Sequence, residues 1–177
     1  AVPLWSGFDV AANGFQFIER TPWIETFNVY YHLGIDGISL LLILLNCLMT
    51  VLVVIAGWKV IDSRVAQYMA AFLILSGLMN GVFSALDGIL FYVFFEATLI
   101  PMYLVIGVWG GPNRVYAALK FFLYTLLGSL LMLVAFIYLY NEAGQSFALL
   151  DWYKVPLSMT AQVWLFFALF AAFSVKV

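Results

Sequence analysis

The stretch FYVFFEATLIPMYL, residues 91–104, sets one carboxylate, Glu96, inside an apolar run, with Pro101 five residues behind it. An ionisable group in hydrocarbon costs about 2.5–3.5 kcal/mol on insertion scales and by default marks an ion or proton pathway. Counting back from Trp109 at about 1.5 Å per residue puts Glu96 roughly 20 Å from that end of its run, near the middle of a bilayer. Pro101 has no N–H to donate, so the carbonyl of Ala97, four residues earlier, loses its helical partner. A free carbonyl beside a carboxylate is a place for water or a cation. The plainer reading is a protonated, packed Glu96 beside a kink that only shapes a bundle.

Two lysines also stand deep in apolar sequence. Lys120 lies about 9 Å into its run, measured from Arg114. It could snorkel to the interface. Alternatively, Tyr116, Lys120, Tyr124 and Gly128 recur every four residues and make a stripe in which hydroxyls flank an amine. Lys176 follows an uncharged run from Met159 and lies about 25 Å in. It is an interfacial anchor if its helix ends there and a buried amine if the helix continues. Acids and lysines together inside a membrane mark proton or cation paths.

The elements that must carry these groups are legible in composition. Of 177 residues, 66% are hydrophobic and only 9% charged, against roughly a quarter charged in a soluble domain. The fold class is therefore an all-α membrane protein, a polytopic helical bundle of about five transmembrane helices. Spans are predicted near 35–58, 68–86, 89–109, 115–140 and 159–177, within a bundle covering 34–177. Residues 1–33 read as an extramembrane, interfacial segment, with Trp5, Trp23, Tyr30 and Tyr31 suited to the headgroup level. Asp36, Ser39, Asn46 and Thr50 fall near one face of the first span, and Ser76, Asn80 and Ser84 mark the second. Both sets read first as helix-packing contacts. Asp87-Gly88 reads as a tight turn. The run ALFAAFSVKV stops while still apolar, so the chain is expected to be an internal piece of a longer one.

Net charge is −2 and no basic patch suggests nucleic acid. One cysteine, Cys47, and one histidine, His32, cannot build an iron–sulfur cluster or a two-histidine haem site. No dinucleotide fingerprint, P-loop or zinc motif occurs. No metal or cofactor site is predicted in this chain, and the chemistry is transport of something small.

The stretches HLGIDGISLLLILL (32–45), FFEATLIPMYLVIGVWG (94–110), RVYAALKFFLYTLLGSLLML (114–133) and FALFAAFSVKV (167–177) resemble the antiporter-like subunits of respiratory complex I. That family includes NADH–quinone oxidoreductase subunit M and NADH dehydrogenase subunit 4. The resemblance implies a larger antiporter-like fold with two inverted repeats, of which this chain would supply the third to the seventh helix. It implies that Glu96 is the acid of the fifth helix and Lys176 the lysine of the seventh, a pair thought to gate proton movement. Lys120 corresponds to a lysine on the sixth. The function implied is proton translocation coupled to quinone reduction, in an enzyme whose flavin, iron–sulfur clusters and quinone belong to partner subunits. The implied partners are other membrane subunits of complex I, the lipid bilayer and protons.

The same acid–lysine pair would serve a subunit of a multi-subunit cation/proton antiporter. A structural scaffold that moves no ion is the third reading. The expected place is the bacterial inner membrane. Lys59 and Arg64 sit in loop 59–67 and Arg114 in turn 110–114, whereas Arg20 and Lys154 are spread over longer segments. The positive-inside rule then puts residues 59–67 and 110–114 in the cytoplasm and 1–33 and 141–158 in the periplasm. Cysteines placed at Ser63 and Asn113 should label from the cytoplasmic side alone, and periplasmic labelling of either would reverse the orientation.

Overall fold

The computed structural model describes residues 2–176. The element order is α1 (Val2–Gly7), β1 (Gln16–Ile24), a single 3-10 turn (Glu25–Phe27), β2 (Val29–Ile35), α2 (Gly37–Gly57), α3 (Val65–Ser84), α4 (Gly88–Ala97), α5 (Leu99–Trp109), α6 (Arg114–Glu142), α7 (Leu149–Trp152) and α8 (Met159–Ser174). Among the described residues four rods are long and apolar enough to cross a membrane: α2, α3, α4 with α5, and α6. The apolar helix α8 is shorter, at 16 residues.

Short polar residues start these helices. Asp36 accepts from the Ser39 backbone N–H, and the Asp36 N–H donates to Ser39 Oγ, a reciprocal capping box that begins α2. Asp36 is thus a cap, not a member of the polar face assigned to it from sequence. Asp87 accepts from Ile89 and Leu90 and begins α4 in the same way. The Asp-Gly pair read as a tight turn is therefore a helix start. Ser158 caps α8 through the Ala161 N–H.

In the bundle, α2 packs on α3, α3 on α4 and α5, and α6 on both α5 and α8. One apolar core forms around Met132, Phe136, Leu139 and Ala172, joined by Phe91, Trp152 and Leu165. A second gathers Ile35, Leu40 and Ile43 with Leu4, Phe8 and Phe83 where the N-terminal segment meets α2. Outward faces keep their large apolar side chains exposed, among them Leu48, Ile55, Leu127, Val134 and Trp164.

The N-terminal segment adds a β-hairpin that the all-helical expectation did not include. β1 and β2 pair antiparallel, with Arg20 opposite His32 and Pro22 opposite Tyr30. Asn28 takes the left-handed conformation (φ 52°) that turns the chain between them. The Arg20 guanidinium lies 4.2 Å from the centre of the Tyr30 ring, the diagonal cross-strand neighbour. Burial first, and the Arg20 charge second, hold the His32 imidazole below its ordinary value of 6.5.

One carboxylate ties this hairpin to the bundle. Asp87 is 1% exposed, and besides capping α4 it accepts from the Tyr30 N–H at 3.2 Å. The Leu86 N–H donates to His32 O, Gly88 N–H to Phe147 O, and Leu149 N–H to Leu86 O, so the α3–α4 turn is stitched to β2 on one side and to the 143–158 segment on the other. Asp87→Ala removes a helix cap and leaves the Tyr30 N–H without its acceptor, a loss of about 1–3 kcal/mol. Tryptic cleavage at Arg20 in the detergent-solubilised protein should accelerate; an unchanged rate would count against the clamp.

Candidate functional site

Glu96 is the next-to-last residue of α4, and α4 ends because of a proline one turn further on. Pro101 supplies no N–H to the carbonyl four residues back and its ring crowds that carbonyl. The helix is interrupted at Thr98, and α5 resumes at Leu99 on nearly the same course, Thr98 itself keeping helical dihedrals (φ −61°, ψ −23°). The freed acceptor put to use is the Phe95 carbonyl, two residues before the one expected from the proline alone. It accepts from Thr98 Oγ1 at 2.7 Å and from Lys176 Nζ at 2.8 Å.

Lys176 reaches this place from the turn that follows α8, two residues past its end. Its Nζ lies 3.6 Å from Glu96 Oε1, with both side chains 16% exposed. It also sits 3.4 Å from the centre of the Phe95 ring, within the range of a cation–π contact. The Phe95 ring in turn meets Phe173 edge to face at 5.7 Å. The third and fifth apolar runs are thus neighbours at this point, and the amine and carboxylate meet directly. The carbonyl end of a helix favours a cation. Lys176 stands at the end of α8 and also at the end that the interruption creates in α4.

The carboxylate is left in an unusual state. A charge-assisted N–H···O bond is about 2.7–2.9 Å long, and Lys176 is farther than that. Both Glu96 oxygens are buried and neither has a hydrogen-bond partner among the described residues. Such groups are normally satisfied, so each one needs a reason. A proton moving from the amine to the carboxylate leaves the net charge of the pair unchanged. The pair can therefore change its protonation internally without adding a charge to a low-dielectric site.

Lys176 also lines a cavity of about 360 Å³ whose other polar walls are Asn46, Thr50, Ser76 and Thr98. These join a seam between α2 and α3. Asn46 Nδ2 donates to Ser76 O (2.9 Å) and Asn80 Oδ1 (2.8 Å), and Thr50 Oγ1 donates to Ser76 Oγ (2.8 Å). Asn46, Thr50, Ser76 and Asn80 do pack the two helices together, as their spacing indicates, whereas Ser39 belongs to the α2 capping box and Ser84 bonds back to Asn80 O of its own helix.

Lys120 is not part of this arrangement. It is exposed, 5.8 Å from the Tyr116 ring centre, among the exposed Leu119, Leu123 and Leu127. The buried face of α6 carries Ala118, Thr125, Gly128, Ser129 and Met132 instead. The structure sets Lys120 on an outward face of α6, with Tyr116 and Tyr124, rather than beside Glu96 and Lys176. Residues four apart drift about 40° around a helix, so a stripe drawn from Tyr116 to Gly128 turns through about 120° and does not stay on one face. Sequence reasoning missed Phe95 and Thr98; the signal available was Pro101, which frees carbonyls in the turn before it.

Residues 85–177 match the family model described as NADH:quinone oxidoreductase/Mrp antiporter, TM. The chain belongs to that family. Residues 10–83 match a second model, the amino terminus of NADH-ubiquinone oxidoreductase chain 4. Similar members of the NADH:quinone oxidoreductase/Mrp antiporter family include NADH-quinone oxidoreductase subunit M of Rhodobacter capsulatus, 48% identical over 98% of this chain and 36% of that protein. NADH-ubiquinone oxidoreductase chain 4 of Chondrus crispus is 44% identical over 98% of this chain and 35% of its own length. Among solved structures, a chain of respiratory complex I from Thermus thermophilus with bound NADH superposes with a TM-score of 0.81 at 34% identity, over 94% of this chain and 35% of that one. The chain therefore spans about a third of the length of these relatives.

The α2–α3 seam can be tested by itself. Asn46→Ala and Asn80→Ala should each lower stability, and a double-mutant cycle should give a coupling of about 0.6 kcal/mol and no more than about 1.7 kcal/mol, the range for hydrogen bonds between membrane helices. Unfolding in mixed detergent reads it out, and strict additivity would mean that the seam contributes no specific contact.

Proposed function

We propose that this chain belongs to a proton-translocating, antiporter-like subunit of an NADH:quinone oxidoreductase, and that Glu96 and Lys176 exchange the proton. The observation that carries this reading is a carboxylate with both oxygens buried and no hydrogen-bond donor among the described residues, with the amine of Lys176 3.6 Å away. A structural ion pair would be closer and would have its remaining lone pairs satisfied. This amine is held by the neighbouring Phe95 carbonyl, at 2.8 Å, more tightly than by its charge partner.

Glu96 accepts the proton and Lys176 releases and recovers it. Phe95 and Thr98 fix the amine beside the carboxylate. The cavity walled by Asn46, Thr50 and Ser76 gives water a way to reach the amine. Lys120 is given no role in the exchange. The redox chemistry, with flavin, iron–sulfur clusters and quinone, is assigned to partner subunits, and neighbouring membrane subunits of the same complex are the expected partners. The bacterial inner membrane is the expected location, with residues 1–33 on the periplasmic side. The matched family description also names the Mrp antiporter, and the resemblance implies the same pair in a cation/proton antiporter subunit. The match of residues 10–83 to the chain 4 amino terminus and the names of the relatives favour the oxidoreductase.

Glu96→Gln keeps size and removes the titratable proton. In the intact complex in membrane vesicles, proton pumping driven by NADH should fall at least about tenfold, since positioned acid–base groups contribute about 10²–10⁴-fold. Assembly should be retained, and Glu96→Asp should lose less. Normal pumping in the Gln variant would defeat the reading, and flavin and iron–sulfur absorbance of the purified complex separates an oxidoreductase from an antiporter.

A further inference from the structure

We propose that Gly128, in the middle of α6, is a positioning residue for Lys176, acting through Val175; this rests on the proposed exchange between Glu96 and Lys176. A Cβ built on Gly128 would run into Val175 Cγ2 and would lie 2.6 Å from Cγ1 and 3.0 Å from Cβ. The isopropyl group of Val175 therefore occupies the space that a side chain at 128 would need. Val175 is half-buried, and on the α6 side the surroundings leave little room to yield. Thr125 is 1% exposed, and Ser129 and Met132 are fully buried on the same face of α6. Cores are packed densely enough that one added methyl group forces a shift.

The end of α8 is split between two neighbours, and this gives the notch its consequence. Ala172 is fully buried in the Met132 and Phe136 cluster of α6, and Val175, one turn on, fills the Gly128 notch. Phe173 and Lys176, one residue further round each time, turn instead to Phe95 on α4. Val175 is β-branched and stiff at χ1, and it is bonded directly to Lys176. Seating Val175 fixes the height and rotation of α8 at its last turn, and with them the Cα from which the lysine stem departs.

The distances set the tolerance. Lys176 Nζ is 2.8 Å from Phe95 O and 3.6 Å from Glu96 Oε1. Restoring ordinary contact at a substituted 128 would push Val175 back by about 1 Å, and a misplacement of about 1 Å in a reacting geometry can cost about 10²-fold. Gly128→Ala otherwise favours the helix, since alanine has the higher helix propensity. The expected defect is thus one of placement at an intact fold.

The test uses the complete complex in membrane vesicles, with pumping normalised to assembled complex. Gly128→Ala should lower pumping by about ten- to a hundredfold, and adding Val175→Ala, which vacates the notch, should restore it to within about twofold. Gly88→Ala is the control for crowding as such. Its Cβ would run into the Trp152 ring, about 12 Å along α4 from Glu96, so assembly should suffer while pumping per assembled complex does not. Normal pumping in Gly128→Ala, a loss that Val175→Ala does not repair, or an equal loss per complex in Gly88→Ala would each overturn the proposal. If Gly128→Ala does not assemble, the double variant decides: assembly with pumping upholds the seat, and failure to assemble overturns it. Glu96→Gln measured alongside keeps the two claims apart. Normal pumping there defeats the exchange itself, whereas a defect there with normal Gly128→Ala defeats only the seat.

Discussion

A buried carboxylate that no hydrogen-bond donor among the described residues satisfies constrains everything around it. Left alone, the charge on Glu96 would be too costly for an apolar bundle, and removing one partner from a buried pair typically costs about 3–5 kcal/mol. The answer in this fold is an amine brought in from a different helix, close enough to offset the charge and too far to lock onto it. The helix interruption at Thr98, the Phe95 carbonyl that it releases and the end of α8 over that carbonyl each bear on where one nitrogen atom sits. An unbroken α4–α5 rod would have committed the Phe95 carbonyl to its own ladder and left Lys176 with Glu96 as its main acceptor.

That arrangement in turn needs rigid backing. The α6 helix supplies it by touching both sides of the pair: it carries the core around Met132 and Phe136 and receives α8 on small residues. The opposite end of the bundle is secured separately. There Asp87 joins the hairpin, the α3–α4 turn and the 143–158 segment through backbone hydrogen bonds. The carboxylate at Asp87 accepts from three backbone N–H groups, whereas the one at Glu96 accepts from none among the described residues. The two acids differ in what surrounds them and so in what they can do. One is held in place as structure, and the other, in the proposed exchange, takes and gives a proton.

How much of this the sequence carried differs by residue. The helices were legible because runs such as Ile38–Trp58 are uncharged and long enough to leave few alternatives. Glu96 stood out because a carboxylate in such a run has no other easy explanation. Lys176 was open between anchor and buried amine on the residues alone, and its pairing came from the family resemblance, since no local pattern links positions 80 residues apart. Lys120 was open on the residues alone between a snorkelling amine and a stripe, and the stripe fails at its far end: Tyr116, Lys120 and Tyr124 share an exposed face, while Gly128 has turned into the buried one. The hairpin went unread because its aromatic residues, Trp23, Tyr30 and Tyr31, suit a membrane interface as well as a strand.

The interruption shows why a sequence rule can be right in kind and wrong in place. A proline identifies which hydrogen bond must be lost, but the backbone relaxes over a whole turn around it, and side chains decide which carbonyl is re-used. Thr98 is well placed to do that: its hydroxyl bonds back to the Phe95 carbonyl three residues earlier. That bond helps aim the carbonyl outward from the helix ladder, toward the lysine amine that donates to it at 2.8 Å. Acceptor geometry at the site therefore follows from two residues acting together, the proline that frees backbone and the threonine that selects which part of it faces the amine. The same division explains why the carboxylate itself stays unbonded. Threonine and lysine both direct their donors to the neutral carbonyl next door, and Glu96 is left to interact through charge and through the proton it can bind.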